Sequence, residues 1–163
     1  MPVKKSQKLI VLSADAMVHE DLELLSQQPN YQKYLAGGCA VRRVRSVYPT
    51  ITYACHATMS TGVYPDRHGV LGNLEFTPGS LTPPWKWFYR SLRWKEDIFQ
   101  AVKAAGGTTA AVYWPVTGNH PAIDYLIDEY WTQGPEDTFR DAYRRSGSSE
   151  AVLDIIDRHK EGV

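Results

Sequence analysis

Residues 48–73 read YPTITYACHATMSTGVYPDRHGVLGN, and the fold class turns on this stretch. Pro49 interrupts whatever precedes it, Thr50 can cap a helix, and Ile51, Cys55, Thr58 and Met59 then recur at helical spacing until Gly62 supplies a stop. Thr52 therefore falls in the first turn of a helix. Unpaired N–H groups and the positive end of the helix dipole meet there and stabilise an anion such as a phosphate. A threonine at a helix start is also a common cap or turn residue. As a nucleophile its hydroxyl needs a base or a metal ion near neutral pH. His56, four residues on, shares its helix face and is a geometrically suitable base; the alternative is a metal held by ligands from elsewhere, with Asp15 as one.

Toward the N-terminus, Lys8 to Ala14 is a short continuous apolar run, the pattern of a parallel strand buried on both faces. Asp15 follows at its carboxyl end, the edge where ligands bind in open α/β sheets, although aspartate is also a common turn residue. Glu20 to Leu25 reads as a short helix, and Pro29-Asn30 opens another that runs to Leu35 before Gly37-Gly38. Ala40 to Val47 alternates Val41, Val44 and Val47 with Arg42, Arg43 and Arg45. That is a strand with one solvated face, from which Arg45 can reach an anion near the threonine turn.

Toward the C-terminus, Phe76 to Trp94 is rich in proline and aromatic residues, and Pro83-Pro84 marks an irregular excursion. Its Trp85 and Trp87 either stack on a planar substrate group or pack on the body of the domain. Lys95 to Ala105 predicts an amphipathic helix with Ile98, Ala101, Val102 and Ala105 on its apolar face, stopped by Gly106-Gly107. Thr108 to Trp114 predicts a buried strand, and Pro115 to Pro121 the loop at its carboxyl end, where His120 is a solvated loop residue or touches substrate. A further short strand is expected within Ile123 to Trp131, with Asp124, Asp128 and Glu129 as exposed acids. Helices are expected over Glu136 to Arg145 and, after Ser146-Gly147, over Glu150 to Lys160 with Val152, Ile155, Ile156 and His159 on one face. The recurring strand, helix, strand order predicts an α/β fold with a mostly parallel sheet, right-handed crossovers and helices on both faces.

Taken together, KLIVLSADA, PTITYACH, PNYQKYLAGG and TGVYPDRHGVLGN resemble the type I phosphodiesterase and nucleotide pyrophosphatase family of the alkaline phosphatase superfamily. The resemblance implies an alkaline-phosphatase-like fold in which the aspartate after the first strand binds a metal, here Asp15. It implies that the threonine of a PTxTxPNH-like run is the metal-bound nucleophile, here Thr52. It also implies that an asparagine after an HG pair, here Asn73 after His68-Gly69, holds a phosphoryl oxygen. The chain departs from the pattern at Asp15-Ala16, where family members usually carry Asp-Gly, and at Ala54-Cys55, where they usually carry Pro-Asn.

The resemblance further implies two divalent metal ions, zinc or alternatively manganese, whose remaining ligands include an Asp-His pair well downstream of the nucleophile. No Asp-His pair occurs in the 163 residues. The expectation is that residues 1–163 are the N-terminal part of a single catalytic domain, incomplete at its C-terminus, carrying the nucleophile half of the site and inactive alone. A sheet edge left uncovered would favour self-association.

Composition narrows the partners. Lys and Arg total 18, as do Asp and Glu, so no general basic field draws in a nucleic-acid polymer or an anionic membrane; a phosphodiester or nucleotide-like small molecule is the expected substrate. Cys39 and Cys55 form no disulfide framework and read as buried free thiols. The apolar run Leu9 to Leu12 is too short for a signal-peptide core or a membrane span, which points to a cytoplasmic protein. Two alternatives stay open: a phosphomonoesterase or phosphonate hydrolase of the same superfamily, and a non-catalytic half-domain for binding or assembly. A sulfatase is disfavoured, since CAVRR at Cys39 lacks the proline of CxPxR. A cysteine protease built on Cys55 and His56 is excluded because adjacent helix residues point apart.

Overall fold

The computed structural model describes residues 8–41 and 43–159, in two compact units, 1–45 and 46–163. The basic residues 1–7, Arg42 on the expected second strand, and Lys160 at the expected end of the last helix lie outside the described residues.

The first unit holds two short helices, α1 (His19–Leu25) and α2 (Pro29–Ala36). Helix α1 starts where the Asp21 carboxylate accepts the Val18 N–H at 2.9 Å. Helix α2 starts at Pro29, whose missing N–H would be unpaired at that position in any case. Neither helix buries a residue. Among the described residues the strands expected over Lys8 to Ala14 and Ala40 to Val47 do not form: no described residue of either run carries a ladder pairing, and Leu9, Ile10, Val11, Leu12, Val41 and Val44 are exposed. A strand buried on both faces depends on neighbours that take up its N–H and C=O groups, and among the described residues of this unit there is no strand for it to pair with.

The second unit carries α3 (Thr52–Thr61), α4 (Pro65–His68), a 3₁₀ turn at Tyr89–Ser91, α5 (Ile98–Ala104), β1 (Ala110–Val112), β2 (Tyr125–Ile127), α6 (Phe139–Arg145) and α7 (Glu150–His159). Strands β1 and β2 pair in parallel, Ala110 with Tyr125, Ala111 with Leu126 and Val112 with Ile127. Residues 113–124 connect them as a loop, as expected for Pro115 to Pro121, and Pro115 to Gly118 within it are buried. The expected buried strand over Thr108 to Trp114 is shorter, and only Ala111 of β1 is buried. The result is a mixed helix-and-strand fold around a small parallel sheet, consistent with the alkaline-phosphatase-like α/β class.

Helix α3 buries Tyr53, Ala54, His56 and Ala57. The stripe expected from spacing faces outward, with Ile51 and Met59 exposed, because the core that receives α3 consists of Val70, Trp87, Leu92 and Val116, which meet Tyr53 and Ala57. The aromatic segment closes over this core. Trp87 packs edge-on to Tyr130 and Trp131, with centroids 4.7 and 5.1 Å apart, and Trp85 lies 5.6 Å from Tyr53. Of the two roles open to Trp85 and Trp87, packing on the body is the one their contacts describe.

Helix α5 begins three residues later than the sequence pattern suggests. Asp97 caps it, accepting the Gln100 N–H at 3.0 Å, and its apolar face is not buried among the described residues. Helices α6 and α7 are in contact, Ala142 and Tyr143 of α6 and Val152 and Leu153 of α7 are buried, and Arg140 of α6 contacts Glu150, Asp154 and Asp157 of α7. Ser148 ties their junction to the sheet by donating to the Leu126 carbonyl at 2.6 Å. The cysteines are free but not buried: Cys39 is exposed, and half-buried Cys55 lies 3.2 Å from Ser46 Oγ.

Candidate active site

Thr52 is the first residue of α3 and is half-buried. The position of N-cap falls to Ile51, which has no side-chain acceptor, and Thr50 does not cap as expected; its hydroxyl donates to the Val47 carbonyl at 2.8 Å. The acceptor comes from twenty residues further along the chain: Asn73 Oδ1 takes the Tyr53 N–H at 3.0 Å. A main-chain N–H can only donate, so this bond fixes the amide flip and leaves Nδ2, a double donor, as the other end of the Asn73 side chain. The structure thus brings Asn73 to the helix start that carries Thr52.

The HG pair explains why Asn73 arrives there. His68 is fully buried; its Nδ1 accepts the Val70 N–H at 3.1 Å, so its Nε2 carries the proton and donates to Thr58 Oγ1 at 3.0 Å. Burial lowers the pKa of this imidazole, which matches the neutral form. Gly69 has φ +81°, and a Cβ there would meet the Arg93 side chain at 2.7 Å. His68 and Gly69 are a clasp between α3 and the segment leading to Asn73. Beyond it the Asn73 carbonyl accepts the Lys86 N–H at 2.8 Å, and Leu74 bridges to Trp85.

His56 lies on the same face as Thr52, as its spacing predicts, but its Nδ1 sits 2.8 Å from the Thr52 carbonyl and not on the hydroxyl. A carbonyl only accepts, so Nδ1 is protonated and cannot act as the base. The ring is buried, edge-on to Trp114 at 5.1 Å.

Asp15 belongs to the first unit, in an exposed turn followed by Ala16 at φ +57°. Ala16 thus holds the left-handed conformation that glycine adopts at no cost, and glycine is the residue the family usually places there. Arg45, also of the first unit, is exposed. Among the described residues no three His, Cys, Asp or Glu side chains form a group that could hold a metal. A zinc ion prefers about four ligands, and Asp15 and Thr52 alone do not fit that requirement.

Three residues differ from their sequence reading because partners distant in sequence were not legible. His120 is not solvated; it is buried and meets Asp97 Oδ2 at 2.7 Å, with Tyr89 at 4.2 Å between ring centroids. Asp128 is not an exposed acid; it is fully buried, accepts from Thr117 Oγ1 at 3.3 Å, and burial pushes its carboxyl up to about 7. Glu129 is half-buried. Both acids follow β2 directly, at the carboxyl end of a parallel strand, and that position was the available signal. Asp124 is exposed as expected and pairs with Lys103 at 2.7 Å.

Comparison with known proteins agrees with the motifs. The sequence profile of the type I phosphodiesterase / nucleotide pyrophosphatase family matches residues 9–161. The venom phosphodiesterase of Macrovipera lebetinus is 32% identical over 132 residues, covering 71% of this chain and 15% of that protein. Ectonucleotide pyrophosphatase/phosphodiesterase family member 3 of Mus musculus is 31% identical over 132 residues, covering 71% of this chain and 14% of that protein. Family member 5 of Homo sapiens is 30% identical over 116 residues, covering 68% and 24%. The chain therefore spans a quarter or less of these relatives' length. No solved structure gives a significant match.

Proposed function

The chain belongs to the type I phosphodiesterase and nucleotide pyrophosphatase family, and from that membership we propose that the complete protein hydrolyses phosphodiester or pyrophosphate bonds of nucleotide-like small molecules, with Thr52 as nucleophile. One contact carries this reading: Asn73 Oδ1 on the Tyr53 N–H, which sets an amide donor at the same helix start as the Thr52 hydroxyl. Thr52 gives up its hydroxyl proton and Oγ1 attacks phosphorus, one ester or anhydride oxygen leaves with the bonding electron pair and takes up a proton, and the phosphoryl group, still carrying its other substituent, stays bonded to Thr52 until water hydrolyses it. Asn73 Nδ2 and the N–H groups of the first turn of α3 stabilise the charge on the transferred phosphoryl group.

The cofactor of this reading is a pair of divalent metal ions, zinc or alternatively manganese, which when bound lowers the pKa of a coordinated hydroxyl. Asp15 and Thr52 are the residues of this chain that would hold it, and the other ligands would come from sequence beyond this chain. On this reading the isolated chain is inactive, and the two-stranded sheet among its described residues is open to pairing with another copy. No helix among the described residues is long and apolar enough to cross a membrane.

The test compares wild type with Thr52→Ala in the complete protein, using bis(p-nitrophenyl) phosphate and p-nitrophenyl phosphate. Loss of diester turnover with Thr52→Ala supports the proposal. A preference for the monoester would shift it to the phosphomonoesterase alternative, and no metal-dependent turnover at all would favour a binding module.

A further inference from the structure

The segment that delivers Asn73 is an excursion. After Leu74 the chain runs out through Phe76 and Leu81, 91% and 99% exposed, and returns at Pro84. Main-chain bonds close its base: the Lys86 N–H donates to the Asn73 carbonyl at 2.8 Å and the Glu75 N–H to the Pro84 carbonyl at 2.7 Å, on either side of the antiparallel bridge between Leu74 and Trp85. Alternation along such a ribbon puts Asn73, Glu75 and Lys86 on one face and Leu74 and Trp85 on the other. On the first face the Glu75 carboxylate is held at both oxygens. Lys86 Nζ donates to Oε2 at 2.7 Å, and Ser91 Oγ donates to Oε1 at 2.9 Å. The Lys86 side chain is 13% exposed, so its charge depends on this partner more than on water. Ser91 is the fixed end. It closes the 3₁₀ turn that the Tyr89 N–H ties to the Gly118 carbonyl at 2.9 Å, and Leu92, which follows it, belongs to the core that receives α3.

We propose that Glu75 and Lys86 are positioning residues for the reaction proposed above: the Glu75 carboxylate clamps the ribbon carrying Asn73 to Lys86 and Ser91, and so keeps the Asn73 amide on the Tyr53 N–H. Two main-chain bonds and one bridge set the register of the ribbon, and the clamp fixes its direction against the core. Without it the excursion pivots at its base and the Asn73 amide drifts from the helix start. Glu75 acts through Asn73 and touches no substrate. The kinetic consequence rests on the catalytic reading of Thr52 and Asn73, whereas the structural half does not.

A double-mutant cycle in the complete protein tests the kinetic half. Glu75→Ala should lower kcat about tenfold and leave KM within about twofold, because a misplaced amide donor is missed in the transition state and not in the substrate complex. Glu75→Gln keeps an acceptor for Ser91 and should recover most of that loss. Lys86→Met, which keeps the stem and removes the ammonium, should lower kcat in the same direction. In an Asn73→Ala background Glu75→Ala should change kcat by less than about twofold, since the group it positions is already gone. An equal loss in both backgrounds, or an unchanged kcat in the first, overturns the proposal. Hydrogen exchange on the 163-residue chain reads the clamp apart from catalysis. Glu75→Ala should cut protection of the Tyr53 amide about tenfold, the equivalent of one ordinary hydrogen bond, and leave the Ala57 amide unchanged. Equal losses at the two amides, or none at Tyr53, also overturn it. If this exchange pattern appears while the complete wild-type protein shows no Thr52-dependent diesterase activity, the clamp stands and the catalytic reading fails.

Discussion

Asn73 Oδ1 accepts the Tyr53 N–H at 3.0 Å, so a side chain from beyond the HG pair does the capping that the residue before the helix, Ile51, cannot do. The two ends of one amide then have separate duties. Oδ1 serves stability, by satisfying a first-turn donor, and Nδ2 serves the proposed chemistry.

Asn73→Asp separates those duties. Aspartate keeps an acceptor for Tyr53 and suits the helix dipole, so thermal melting should show stability equal to wild type or above it. The donor is lost, and diesterase turnover by the complete protein should fall by about two orders of magnitude, the scale of losing one oxyanion donor. Asn73→Ala should lose both, including about 1 kcal/mol of stability.

Asp97 and His120 form a buried pair at 2.7 Å, and Asp97 also caps α5. Removing one partner leaves the other buried without its counterpart, at a cost of about 3 kcal/mol. Asp97→Ala should destabilise more than His120→Ala, since it also removes the cap, and urea denaturation of the two variants measures the difference.

The Asp128 carboxyl is raised by burial from an ordinary value of 3.8 to about 7. The folded state then binds a proton that the unfolded state has released, so stability falls as pH rises from about 4 to about 7 and stays low above that. The span corresponds to no more than about 4 kcal/mol. Asp128→Asn should flatten this part of the pH–stability curve and be more stable relative to wild type at pH 8 than at pH 4. Parallel curves for the two proteins would contradict the assignment.

Ala16 holds φ +57°, a conformation that costs an L-residue about 1 kcal/mol and glycine nothing. Ala16→Gly should therefore stabilise the chain by up to about 1 kcal/mol, less the extra chain entropy of glycine, as read from the melting midpoint.

How far the sequence reached depends on the range of the interaction involved. Helices α1, α2 and α3, the glycine stop at Gly62, the break at Ser146-Gly147, and the short strand at residues 125–127 were legible because caps, stops and periodicity act within one or two turns. The buried face of α3 was not, because Tyr53 is turned inward by Trp85, Val70 and Val116, residues that no local spacing connects to it. The strand over residues 8–14 failed for a similar reason: an apolar run specifies a buried strand only where partners exist to pair with it. At the site, motif order singled out Thr52 and Asn73 but gave no hint that His68 is a clasp or that Asp128 is buried.

The central claim is that the hydroxyl of Thr52 becomes covalently bonded to phosphorus during turnover. Rapid quenching of the complete protein with bis(p-nitrophenyl) phosphate, followed by peptide mass spectrometry, should find the substrate-derived phosphoryl group on Thr52 and none in Thr52→Ala. Full diesterase activity in Thr52→Ala, or a phosphoryl group trapped on another residue, would contradict the account.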